Sequence, residues 1–205
     1  MNTGRLETFA DGVFAIAATL LILSVDSHLG SCAPAGATLA RQLECSWPSY
    51  VAYVVSFVTI GIMWVNHHTL MAQVGQVDRR FLLATVVFLM CIAFIPFPTR
   101  LAAEHVHGEG ARAAALAYGF TLTATAVMFS VIWFYGSIGR RLLRDDADPR
   151  VVKGITRSYL PGPWIYLTAT LIAFASATAS LVIYLVLAAF YVLESSLFGG
   201  KAGAD

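Results

Sequence analysis

Asp11 is the residue that most needs explaining. It stands two residues before an uncharged apolar run, Val13 to Val25, with Arg5 and Glu7 close upstream. A carboxylate carried towards a membrane core is costly unless another element supplies a partner, and such groups mark ion and proton paths. A second polar set, Trp64, Asn66, His67 and His68 in "WVNHH", interrupts another apolar run. With Asp11, the two histidines have the chemistry of a titrating relay, because imidazole changes charge near neutral pH. Haem ligation fits poorly: adjacent histidines on a helix point about 100° apart and cannot both reach one iron. In "EHVHGE", Glu104 to Glu109, His105 and His107 share a side only if extended, and a solvated turn is the better reading. No nucleophile is paired with a base and no phosphate-cradling loop is present, so no enzyme is expected.

The elements that must position these residues follow from composition. Of 205 residues, 58% are hydrophobic and 12% charged, with a mean hydropathy of +0.73. Soluble domains carry about 25% charged residues, so an all-α integral membrane protein is expected. A net charge of +1 excludes a nucleic-acid surface, which needs clustered cations. The uncharged stretches are 12–25, 45–77, 81–99, 113–139 and 158–193. A helix needs about 20 residues to cross the core, so the first must recruit its polar opening turns. The last is too long for one helix and divides near "ASATAS", with its second half extending through 194–198. Six spans in one domain, 1–205, are expected, and five is the alternative count.

Orientation follows from the cations. With the N-terminus inside, Arg5, Arg79, Arg80, Arg140, Arg141, Arg144, Arg150, Lys153, Arg157 and Lys201 fall on inner segments. Only Arg41, Arg100 and Arg112 fall outside, which puts both termini in the cytoplasm. "GRRLLRDDADPR" then reads as a solvated inner connection. The acidic Glu7 and Asp11 argue against a cleaved signal peptide, whose leading region is basic. Cys32 and Cys45 flank the first outer loop, where a disulfide is as plausible as two free thiols; Cys91 reads as a small buried apolar residue.

At about 100° per residue, one helix face collects Ile16, Leu20, Leu23, Phe9, Gly12 and Arg5 within about 40° of Ile16. Asp11 falls at about 220°, and Arg5 cannot be its same-face partner. An antiparallel second helix brings "WVNHH" to the depth of Asp11. A buried cluster of Arg5, Asp11, Trp64, Asn66, His67 and His68 is therefore expected to clamp the first helix. In "ARAAALAYGFTLTATA", Ala115, Gly119 and Thr123 form a small-residue ridge suited to close packing.

"RLETFADGVFAIAATLLIL" resembles the Arg-x-x-x-Phe-Ser-Asp opening of the transmembrane-protein-175 potassium channels, bacterial branch, and "WVNHH" and "FIPFPTR" are similar to that family too. Ala10 departs from the family's serine, leaving Arg5, Phe9 and Asp11 of the motif. The resemblance implies a homotetramer in the cell membrane, with the first helix of each six-helix subunit lining the pore. It places the narrowest ring at Ile16, with Leu20 and Leu23 as further apolar rings and Thr19 tuning selectivity. It implies no cofactor beyond permeant potassium ions, and no partner beyond further copies of the chain and membrane lipid. No "TVGYG"-like carbonyl filter is present, so an apolar throat would act by dewetting and ion dehydration, with a modest preference for potassium. A secondary transporter or proton pathway through Asp11, His67 and His68 is the other reading.

Overall fold

The computed structural model describes residues 3–26, 33–34, 36–106 and 108–198 and is helical throughout apart from one isolated bridge. Chain order is α1 (Thr3–Leu20), α2 (Ile22–Asp26), α3 (Leu39–Cys45), α4 (Trp47–Gln73), α5 (Arg79–Phe94), α6 (Pro96–Glu104) and α7 (Ala111–Ser137). After a short 3-10 turn come α8 (Pro149–Tyr159), α9 (Gly162–Ile172) and α10 (Ala177–Phe198). Four stretches are long and apolar enough to cross a membrane: Thr3–Val25, Trp47–Gln73, Arg79–Glu104 and Ala111–Arg140. The first does recruit its charged opening turns. The final apolar stretch breaks at Ala173–Ser176, leaving an 11-residue α9 and a longer α10.

Local chemistry sets the boundaries. Pro48 and Pro149 sit in the first turns of α4 and α8, where the missing N–H has no helical partner to lose. Asp78 caps α5 by accepting from the Phe81 amide at 2.8 Å, and Asp148 caps α8 by accepting from the Arg150 amide at 2.7 Å. Pro96 separates α5 from α6, since its ring cannot continue the helical ladder.

In the bundle, α1 packs on α4 and α5, α5 on α7, and α7 on α9, while α10 closes against α4, α7 and α9. The expected ridge on α7 is buried. A methyl group added to Gly119 would lie 2.5 Å from the Tyr184 hydroxyl and 2.6 Å from Thr170 Oγ1. That space is occupied by a hydroxyl chain: Thr170 exchanges hydrogen bonds with Thr123 (3.0 Å) and Tyr184 (2.8 Å). A second chain joins Ser56 to Thr99 (2.8 Å) and Tyr118 (3.0 Å) across α4, α6 and α7. In an apolar medium such bonds fix helix rotation, because the unpaired alternative is worse.

The "GRRLLRDDADPR" segment differs from its expected solvated form. Leu142, Leu143 and Ala147 are buried. Gly75 N donates to Leu142 O and Arg144 N to Gln73 O, each at 2.9 Å, and Val74 bridges Leu143. Two leucines amid the charges draw the loop inward, where it zips to the α4–α5 connection. Gly75 permits this, since a Cβ there would lie 3.1 Å from the Arg144 backbone.

Candidate functional site

The first helix has two unlike sides. Leu6, Ala10, Phe14, Ala17, Leu21 and Ser24 are buried against the bundle. These fall between about 80° and 160° from Ile16 on the helical wheel. The other side carries the expected apolar stripe: Ile16 is 61% exposed, Leu23 59%, Phe9 56% and Leu20 43% in the single chain. The stripe therefore points away from the chain's own core and is left for something outside it. Thr19 is also exposed, and its hydroxyl donates to the Ile16 carbonyl at 2.9 Å. That bond satisfies the hydroxyl on its own helix and leaves its oxygen as an acceptor beside the stripe.

The polar residues divide into separate groups and do not form one buried knot. Asp11 Oδ1 accepts from Trp64 Nε1 at 2.8 Å, joining α1 to α4 at an exposed edge. His68, also exposed, lies beside Trp64 with ring centroids 6.3 Å apart. His67 points into the core instead. It stacks on Phe88 at 5.8 Å and 11° and lies 5.8 Å from Phe14, so one imidazole is gripped by α1 and α5. Its Nε2 is buried with no hydrogen-bond partner. The Asn66 backbone carbonyl accepts from the Tyr159 hydroxyl at 3.3 Å. Arg5 is exposed, and Phe9 lies on the open stripe. The reason is angular: one residue on a helix is about 100° of rotation, so His67 and His68 face different surroundings. Ala10, where the resembled motif has serine, is fully buried.

Sequence reasoning missed the aromatic pair around His67. Phe14 and Phe88 lie on separate helices, and no local pattern announces them. It also missed a clasp at one end of the bundle. Asp78 Oδ2 accepts from the Tyr135 hydroxyl at 2.6 Å and faces Arg141 at 3.4 Å, while the Arg141 guanidinium sits 4.7 Å over the Tyr135 ring. These bonds, the Tyr135 hydroxyl foremost, hold the Asp78 carboxyl below its ordinary value. An aspartate directly before "RRFLLATVVF" is a helix-start signal and could have identified the cap.

No group of three or more metal-ligating side chains occurs among the described residues. His105 is bonded through Nδ1 to the Leu101 carbonyl, and Glu104 pairs with Arg100 at 2.6 Å; His107 lies outside the described residues. Cys91 is a free thiol and Cys45 is disulfide-bonded. Cys32, the bridging partner expected from the sequence, lies outside the described residues.

Comparison with known proteins now bears on this arrangement. Residues 5–96 match the family described as endosomal/lysosomal potassium channel TMEM175. A potassium channel of Chamaesiphon minutus is 39% identical over 95% of this chain and 96% of its own, and one of Streptomyces collinus is 37% identical over 93% and 91%. The crystal structure of a lysosomal potassium-selective channel TMEM175 homologue from Chamaesiphon minutus superposes with a TM-score of 0.84 at 37% identity, covering 94% of this chain and 97% of that one. The proton channel TMEM175 of Gallus gallus is 33% identical over 65% of this chain but only 28% of its own length. Identity sustained along nearly the whole chain, with the same arrangement of helices, shows that the chain belongs to the TMEM175 family, whose members are ion channels and not enzymes.

Proposed function

We propose that the chain is a potassium-permeable channel subunit that works as a homotetramer in the cell membrane, with both termini cytoplasmic. Residues 1–205 form one channel domain, with 158–172 and α10 supplying a fifth and a sixth crossing beside the four long apolar stretches. The observation that carries this reading is the open stripe of α1: Ile16, Leu20 and Leu23 face away from the chain's own core in a helix otherwise locked by Phe14 and Ala17. Around a fourfold axis the stripe makes stacked apolar rings, the narrowest at Ile16. An ion passing such rings must deform its hydration shell. Potassium holds its water less tightly than sodium, so the preference is genuine but modest. Thr19 offers its hydroxyl oxygen behind the ring, and Asp11–Trp64 sets the rotation of α1 that aims the stripe.

Flux from proteoliposomes loaded with potassium tests this. The wild-type chain is expected to pass potassium faster than sodium without a proton gradient, and Ile16→Asn to raise sodium flux by about tenfold, the equivalent of about 1.4 kcal/mol at the barrier. An unchanged ion preference in Ile16→Asn removes Ile16 from the constriction.

The proton-pathway reading has one observation in its favour, the buried and unpartnered His67 Nε2. Against it, Asp11 bonds Trp64 while His67 is enclosed by Phe14 and Phe88, so no hydrogen bond joins Asp11 to His67 Nε2. His67→Leu separates the readings: a channel keeps its potassium flux, whereas a relay through His67 loses its transport.

A further inference from the structure

A cavity of about 730 Å³ opens between α4, α7, α8 and α9, with Phe88 of α5 and Tyr191 of α10 completing its wall. Its α4 wall runs from Phe57 to Thr69, about 18 Å along the axis at 1.5 Å per residue. One leaflet of a roughly 30 Å hydrocarbon core is about 15 Å deep. The walls along most of that length are apolar, with Phe57, Ile62, Phe88 and Phe129 among them. On α4 the polar lining residues Asn66 and Thr69 lie at one end of that wall, while Thr125, Ser130, Ser158 and three tyrosines add hydroxyls around the cavity.

At that polar end α8 supplies a charge pattern. Arg150, Lys153 and Arg157 are exposed, and the helix holds no acidic residue. None of the three takes part in an ion pair described among these residues. Their spacing of three and four places them on one stripe within about 60° of each other. The cavity-lining residues of α8, Gly154, Ile155, Ser158 and Tyr159, span the arc from about 40° to about 180° beyond Arg150, so the cations stand beside that face and not on it. A basic stripe thus adjoins one edge of the α8 face that lines a tail-length, mostly apolar groove. An adjacent basic surface draws anionic headgroups at about 1 kcal/mol per cation near the membrane.

We infer that this groove is a binding site for an anionic phospholipid, one acyl chain lying along α4 from Thr69 towards Phe57 and the phosphoryl headgroup resting on Arg150, Lys153 and Arg157. The occupant is a lipid and not a soluble phosphate, because the basic stripe alone offers no enclosed pocket for a small anion. A bound lipid would wedge α8 and α9 against α4, fixing the outer helices of the subunit independently of the pore.

The test uses full-length protein extracted from vesicles of equal phosphatidylglycerol and phosphatidylcholine, with co-purified lipid counted by native mass spectrometry. Phosphatidylglycerol is expected to be enriched about tenfold or more. The triple variant Arg150→Gln, Lys153→Gln, Arg157→Gln should bring the ratio to parity while still retaining lipid. Gly61→Phe, placed where an added Cβ meets only open space, should fill the groove and lose both lipids. Melting in pure phosphatidylcholine checks that each variant folds, the three cations being surface groups. Equal retention of the two lipids by the wild type overturns the inference, as does enrichment that survives the triple variant. Displacement of the lipid by glycerol phosphate at equal concentration would mark an anion site without a tail. Absence of any retained lipid, with the groove covered by a second copy, would also overturn it.

Discussion

At the residue scale, three side chains have unlike roles despite similar sequence surroundings. Trp64 and Asp11 make a single directed bond between α1 and α4. Trp64→Phe keeps an aromatic side chain but deletes the N–H donor, so a loss of roughly 1 kcal/mol is expected from the bond, in line with interhelical hydrogen bonds in membranes. A lower melting temperature in detergent, with sodium flux rising as α1 turns, is the readout. Asp78 acts at the opposite kind of site, outside the spans. Its carboxyl is held below its ordinary value of 3.8 by the Tyr135 hydroxyl first and the Phe81 amide second. A depressed carboxyl contributes stability that is present above the unfolded value and is lost as pH falls through the folded one. Asp78→Asn should therefore melt lower than wild type at pH 7, with the gap closing as pH drops below about 4. A gap that persists unchanged in acid would show that the charge is irrelevant to the clasp.

At the element scale, close packing is set by what is missing. Gly119 lets α7 approach the Thr170–Tyr184 hydroxyl pair, and Gly119→Ala is expected to cost about 1–3 kcal/mol through overpacking. Thermal unfolding in detergent measures it, and Ala115→Gly on the same ridge offers a control without added volume. The ridge was legible in the sequence because small residues at four-residue spacing have one strong packing meaning. So were the four long apolar stretches, the recruitment of Arg5–Asp11 into the first and the stripe that begins on α1, all consequences of composition and helical period. The fate of His67 was not legible, since stacking on Phe88 depends on which helix α4 meets. Nor was the folded loop at 138–148. Its charges suggested solvent, and its two leucines decided otherwise only once the α4–α5 connection lay beside them.

At the scale of the whole molecule, exposure in the single chain is itself informative. Large apolar side chains cover the surface, from Ile16 and Leu23 on α1 and α2 to Phe94 and Phe97 on α5 and α6. Lipid can satisfy most of this surface, but the α1 stripe needs other copies if it is to enclose a path. Mass measurement of the detergent-solubilised protein is expected to give four chains per particle, and a monomer that still conducts would dismantle the axial arrangement.

The seam between Gln73–Asp78 and Leu142–Arg144 has a mechanical consequence. Backbone bonds and the Asp78–Tyr135–Arg141 clasp staple α4, α5 and α7 together at this rim of the subunit. A bundle bound like a sheaf at this end resists splaying there. Any sliding of α4, α5 and α7 past one another must first break that tie.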